Sequence, residues 1–335
     1  MTITPNSRQF RIRMYKRLLI ILPFLLGLIL SACASPSPDI TPPTAAVTLY
    51  PTITPKPDVT KTPAAATSDP LDPTPSEPVY DPADPASWKS LPVVPVLSAE
   101  MLETFKLGLE ESHNNPNAFS KIGDCETAAD WFLKDFDIGP KNYHLGDHAG
   151  LQETIDHFKG SFGRKSLAAQ NGFLTVSVIS TAWTDMAACK KEETPLMCEY
   201  RLHRPSFALI MFGTNDARLS RKTFEGYLRQ IIDSTLKQHI VPILVTKADN
   251  LEGDESINAI IARVAYEYNV PLWNQWAALQ NLPAQGLQQD GVHLVYARNF
   301  FDDPEMMQAG WPVRNLTALQ VLDAMRRQTQ PLVGE

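Results

Sequence analysis

The chain has 335 residues, of which 44% are apolar and 20% charged, and its formal net charge is −7. That charge excludes the basic field that holds nucleic acid by neutralising phosphates, so no nucleic-acid partner is expected. An ordinary apolar share excludes a wholly disordered chain, and uneven composition along it points to one domain with appendages rather than two domains.

Arg8, Arg11, Arg13, Lys16 and Arg17 make a basic start. Leu18 to Leu30 follows as an apolar run of thirteen residues, broken only by Pro23 and Gly27. That run is short for a bilayer span and fits the apolar centre of a signal peptide. It ends in Leu30-Ser31-Ala32-Cys33, which looks like the lipobox of a bacterial lipoprotein. Residues 1–33 are therefore expected to be a signal peptide, with Cys33 acylated and left as the mature N-terminus. Each buried methylene of the acyl chains would contribute roughly 0.8 kcal/mol towards a stable anchor. The expected location is extracytoplasmic, with the membrane a partner through the lipid. An uncleaved anchor would change the attachment and not the location.

Residues 34–90 are rich in Pro, Thr, Ala and Asp and poor in large apolar side chains. Such a stretch buries too little surface to offset its ordering entropy, and its prolines keep it extended. A disordered tether is expected there, with residues 91–335 forming the domain.

Within the domain, four apolar runs bounded by turn residues read as strands: Ala118 to Gly123, Phe207 to Phe212, Val241 to Thr246 and Val270 to Trp273. Helical spacing of apolar residues predicts helices over Phe224 to Gln238, Ser256 to Tyr268 and Leu316 to Arg327. Strands alternating with helices imply an α/β fold, a three-layer α/β/α sandwich around a mostly parallel sheet of about five strands. Functional residues of such folds gather beyond the carboxyl ends of the strands.

Polar clusters fall at those ends. Gly123-Asp124-Cys125 follows the first strand, Gly213-Thr214-Asn215-Asp216 follows the second, and Asp290-Gly291-Val292-His293 lies near the C-terminus. In this order the three motifs resemble the blocks of the SGNH/GDSL hydrolase family, over roughly Ala118 to Arg327. The resemblance implies an ester hydrolase that needs no cofactor. It puts Cys125 at the nucleophile position, His293 as the base and Asp290 as the group that orients the imidazole. Asn215 would donate to the oxyanion beside the backbone N–H of Cys125, with Asp124, Gly213 and Asp216 in support. The family's further oxyanion glycine has no clean match; Gly163, in Ser161-Phe162-Gly163-Arg164, is the candidate, with Gly172 behind it.

Where the family has serine this chain has Cys125, which leaves three readings open: a thiol hydrolase, an acyltransferase, or an inactive descendant that binds. The expected substrate is a small ester or an acylated glycan, the glycan resting on family habit and surface location. Cys189 and Cys198 lie in one short polar segment where a pair would close a small loop and leave Cys125 free; a Cys125 pairing with either stays open. His144 and His148 are four apart, but Gly146 between them opposes a shared helix face, so no metal is expected. Lys247, Asp249 and Asn250 read as a solvated loop. Trp183, Trp273, Trp276 and Trp311 read as mostly core, one of them open to a sugar at the rim.

Overall fold

The computed structural model describes residues 79–334. The signal peptide, Cys33 and most of the expected tether lie outside the described residues. The packed domain starts earlier than Leu91, because Tyr80 and Trp88 are buried and the Asn274 side chain donates to the Trp88 carbonyl at 2.8 Å. Two aromatic anchors inside a proline-rich stretch suffice to hold its last turn on the domain.

The helices are α1 (Ala99–Glu110), α2 (Cys125–Ala128), α3 (Asp135–Ile138), α4 (Gln152–His157), α5 (Thr175–Val178), α6 (Pro195–His203), α7 (Arg221–Leu236), α8 (Ser256–Glu267), α9 (Gln275–Leu279) and α10 (Gly310–Thr329). The strands are β1 (Asn115–Gly123), β2 (Tyr143–His144), β3 (Pro205–Met211), β4 (Val241–Val245), β5 (Leu272–Trp273) and β6 (Asn299–Phe300). β1, β3, β4 and β5 form a four-stranded sheet in that order, and every pair is parallel. β3 and β4 are buried along their whole length, as continuous apolar runs in a doubly covered parallel sheet should be. A single parallel bridge from Gly123 to Ala169 sets a further segment on the far side of β1. Counting that segment second, the order is the 2-1-3-4-5 of flavodoxin-like sheets. β2 and β6 pair separately, over two residues each, too short to leave a sequence pattern.

α7 and α8 connect strands that step in one direction, so their crossovers share one face of the sheet. α7 buries Phe224, Leu228, Ile231 and Ile232, and Ser220 caps its start by accepting from the Thr223 N–H. α1 packs on β3 and β4, and α10 packs on α1. α10 starts six residues before the predicted Leu316. Pro312 is tolerated there because a first-turn residue has no helical partner for the N–H that proline lacks.

Candidate active site

β1 and β3 lie side by side with Gly123 opposite Met211. The turns that follow them, Gly123-Asp124-Cys125 and Gly213-Thr214-Asn215, therefore leave the sheet together. Gly123 has no room for a side chain, since a Cβ would collide with Thr127 and the Met211 carbonyl. Gly213 combines a φ of +131° with close contact to Ile257 and Lys247, so glycine is required on both counts. Asp124 caps α2 by accepting from the Glu126 N–H at 3.3 Å, which places Cys125 at the first helical position.

Cys189 and Cys198 are bonded to each other, with Cα atoms 5.5 Å apart. Cys125 is disulfide-bonded too, and this corrects the expectation that the Cys189–Cys198 pair leaves it as a thiol. Cys125 itself is buried.

His293 sits on a small loop closed on itself. The Gln288 N–H donates to the His293 carbonyl at 2.8 Å, and Leu287 and Leu294 form an antiparallel bridge. Gly291, at φ +68°, makes the turn. Asp290 Oδ1 accepts the backbone N–H groups of Val292 and His293, and Oδ2 lies 2.6 Å from His293 Nδ1. Burial raises the Asp290 pKa, but the His293 hydrogen bond and the two backbone N–H groups outweigh it and hold the carboxyl below its usual range. Such a partner fixes the tautomer with Nδ1–H donating and leaves Nε2 as the basic nitrogen. The loop is tied to α2, because the Leu294 N–H donates to Glu126 Oε1 at 3.4 Å. His293 and Cys125 are each one residue from that contact.

Asn215 donates its side-chain amide to the Phe173 carbonyl at 3.0 Å, which leaves one amide hydrogen for another acceptor. The segment before Phe173 runs beside the Gly123-Asp124-Cys125 turn: the Gly123 N–H donates to the Ala168 carbonyl and the Gln170 N–H to the Gly123 carbonyl. Gly172, at φ +81°, stands between the Gln170 contact with Gly123 and the Phe173 contact with Asn215, and its N–H has no partner among the described residues. Gly163, the candidate from sequence, has its N–H engaged elsewhere. Its N–H is spent on Asp137 Oδ2 at 2.7 Å. A bridge of one residue gives Gly172 no strand pattern to read, which is why sequence alone favours the other.

The likeness is to G-D-S-L proteins. A G-D-S-L family protein from Desulfitobacterium hafniense matches with 15% identity and a TM-score of 0.38, over 61% of this chain and 99% of that one. A variant of an acetylxylan esterase from Geobacillus stearothermophilus matches with 16% identity and a TM-score of 0.42, over 62% and 95%. A GDSL-like lipase from Bacteroides thetaiotaomicron has 14% identity and a TM-score of 0.37, over 67% and 98%. No protein-family model matches the sequence, and no curated protein matches it. Likeness at these scores carries no argument of its own, so what the site can do follows from its side chains.

Beneath the G-D-S-L-like turns lies a layer of buried charge. Asp124 is fully buried, and its Oδ2 has no hydrogen-bond partner among the described residues; burial, with Glu126, Asp249 and Asp216 nearby, pushes its pKa well up. Glu126 is raised by burial against the opposing pull of Arg314, whose guanidinium lies 3.4 Å away. Burial brings Arg314 down to about 10. Lys247 and Asp249 are buried rather than solvated, with Asp249 Oδ2 accepting from the Thr214 hydroxyl at 2.7 Å; of the three only Asn250 is exposed. Glu126 and Arg314 belong to no motif, although Glu126 directly follows the Gly-Asp-Cys run.

Asp216 accepts from both the backbone N–H and the hydroxyl of Thr175, which pins the Phe173 segment beside the Asn215 turn. Burial raises its pKa to about 6 despite those bonds. A carboxyl raised in the fold above its ordinary 3.8 contributes stability that is full below that value and lost as pH rises through about 6. The difference corresponds to about 3 kcal/mol. Asp124 and Glu126 move in the same direction. In urea titrations, Asp216→Asn should therefore lose less stability than the parent between about pH 4 and pH 7. Parallel pH profiles for the two proteins would show that Asp216 does not titrate in this way.

Proposed function

We propose that the domain hydrolyses esters, with acylated glycans as the substrate class, through a nucleophile at position 125. The observation that carries this reading is the His293–Asp290 pair at 2.6 Å, on a loop tied to the residue next to Cys125. His293 Nε2 takes the proton of the attacking thiol, the sulfur adds to the ester carbonyl, and the second Asn215 amide hydrogen and the Gly172 N–H face the developing oxyanion. His293 then returns the proton to the departing alkoxide. Water, activated by the same imidazole, cleaves the acyl thioester. Because Cys125 is disulfide-bonded, attack first requires an external dithiol, which breaks that S–S bond by exchange, leaves as its own disulfide and frees the Cys125 thiol.

The test is hydrolysis of p-nitrophenyl acetate, with and without dithiothreitol, by the wild type and Cys125→Ser. Wild type should turn over only after reduction, and Cys125→Ser should turn over in both conditions. Silence of both proteins in reductant would sink the proposal. The disulfide on Cys125 favours one other reading, a binding protein with the hydrolase fold and no turnover, and that silence is its expected result.

A further inference from the structure

A cavity of about 490 Å³ opens against α2, on the side of Thr127, Ala128 and Ala129, and is bordered on its other side by Ala169 to Asn171, the segment that pairs with Gly123. It thus adjoins the nucleophile turn, and its volume is that of a ligand pocket. Its lining holds four cationic side chains, Lys121, Lys134, Arg164 and Lys165, and one acid, Asp130.

The ion pairs do not cancel this excess. Arg164 is taken by Glu199 at 2.5 Å, and Lys134 lies 3.2 Å from Asp130. Asp137 bonds the N–H groups of Gly160 and Gly163 and makes no direct bond to Lys121, although its charge still acts on that ammonium; four cations therefore face three carboxylates, Asp130, Asp137 and Glu199. Lys165 is exposed and has no ion pair among the described residues. Lys121 is buried, and its ammonium makes one hydrogen bond, to the Phe162 carbonyl at 2.7 Å. An ammonium carries three donors; besides that bond Nζ lies 5.8 Å from the Phe132 ring centroid, so no second oxygen or nitrogen acceptor serves this buried group at the cavity border among the described residues. Burial, with Arg164 beside it, lowers the Lys121 pKa to about 8, and an anion in the cavity would relieve that.

A second feature stands at the same rim. Trp131 lines the cavity and is 51% exposed, and it packs on Tyr296, 48% exposed, with ring centroids 4.6 Å apart. Tyr296 is three residues beyond His293. Aromatic faces held open to water at the cavity rim suit a ring with one apolar face and polar edges.

We infer that this cavity binds an oxyanion carried by a sugar ring of the substrate, a carboxylate or sulfate, while the ring packs on Trp131 and Tyr296. The inference rests on the glycan-ester reading and narrows it to acidic glycans. It is tested by calorimetric titration of the full chain carrying His293→Ala, so that no turnover enters. The probes are oligogalacturonate, a neutral xylo-oligosaccharide and inorganic phosphate. Oligogalacturonate should bind, and Lys134→Gln with Lys165→Gln should weaken it by about tenfold or more, the scale of one lost charge-assisted hydrogen bond. Lys121→Met should weaken it similarly, and the exposed pair keeps the test alive if that variant does not fold. Equal binding of the neutral oligosaccharide, or indifference to Lys134→Gln and Lys165→Gln, overturns the inference. Phosphate binding as tightly as oligogalacturonate overturns it in favour of a free anion. A failed ester assay alongside selective, lysine-dependent binding would remove the hydrolase reading and leave the acidic-glycan site standing.

Discussion

His293→Ala, made in the Cys125→Ser background so that no disulfide intervenes, is expected to lower kcat for p-nitrophenyl acetate by about 10³-fold or more, with KM little changed. The loop geometry locates the effect. Gly291 makes the turn, the Gln288–His293 and Leu287–Leu294 pairings close the loop, and Leu294 fastens it to Glu126. None of these contacts uses the imidazole, so removing the ring leaves the loop in place and takes away only the base. Asp290→Asn probes the same chemistry one step back. An amide at 290 offers one acceptor where the carboxylate offers two, and the carboxylate's two serve the ring at Oδ2 and the backbone at Oδ1. The imidazole then loses its tautomer control, with a drop of about 10²- to 10⁴-fold expected. Full activity in both variants would mean that Nε2 of His293 takes no proton, and the proposed mechanism would fall with it.

Much of this site was legible in the sequence because its parts sit where continuous signals end. β3 and β4 are mainly apolar runs, β1 ends in a buried half, and the Gly-Asp-Cys and Gly-x-Asn-Asp clusters follow β1 and β3 at the edge of the sheet. The open N–H of Gly172 was not legible, since its neighbours make one bridge and no strand. Lys247 and Asp249 look like loop residues because each charge on its own belongs in water. Only folding shows that Asp249 and Glu252 surround the ammonium. Trp88 was lost for a related reason: the composition around it is that of a tether, and a single buried indole outweighs composition over one turn. The Trp131–Tyr296 pair joins residues far apart in the chain, which no local pattern can show.

The buried ammonium of Lys247 leads to the largest stability effect expected here. Its Nζ reaches the Asp249 carbonyl at 2.7 Å, Asp249 Oδ1 at 2.8 Å and Glu252 Oε2 at 2.6 Å, and the side chain has no exposed surface. Lys247→Met keeps the length of the side chain and removes its charge, leaving two buried carboxylates facing each other with no counter-ion. Breaking a buried pair from one side costs about 3–5 kcal/mol, because the orphaned charge keeps its desolvation penalty. In a domain of this size that should lower Tm by roughly 10 °C. Activity should fall with it at temperatures where the variant is still folded, since Asp249 also holds Thr214, the residue before Asn215, the oxyanion donor of the proposed mechanism. Combining Lys247→Met with Asp249→Asn and Glu252→Gln removes the orphaned charges, and most of the lost stability should return. Thermal melts of the single and triple variants decide the matter: a single variant as stable as the parent would show that this ion cluster contributes nothing to the fold.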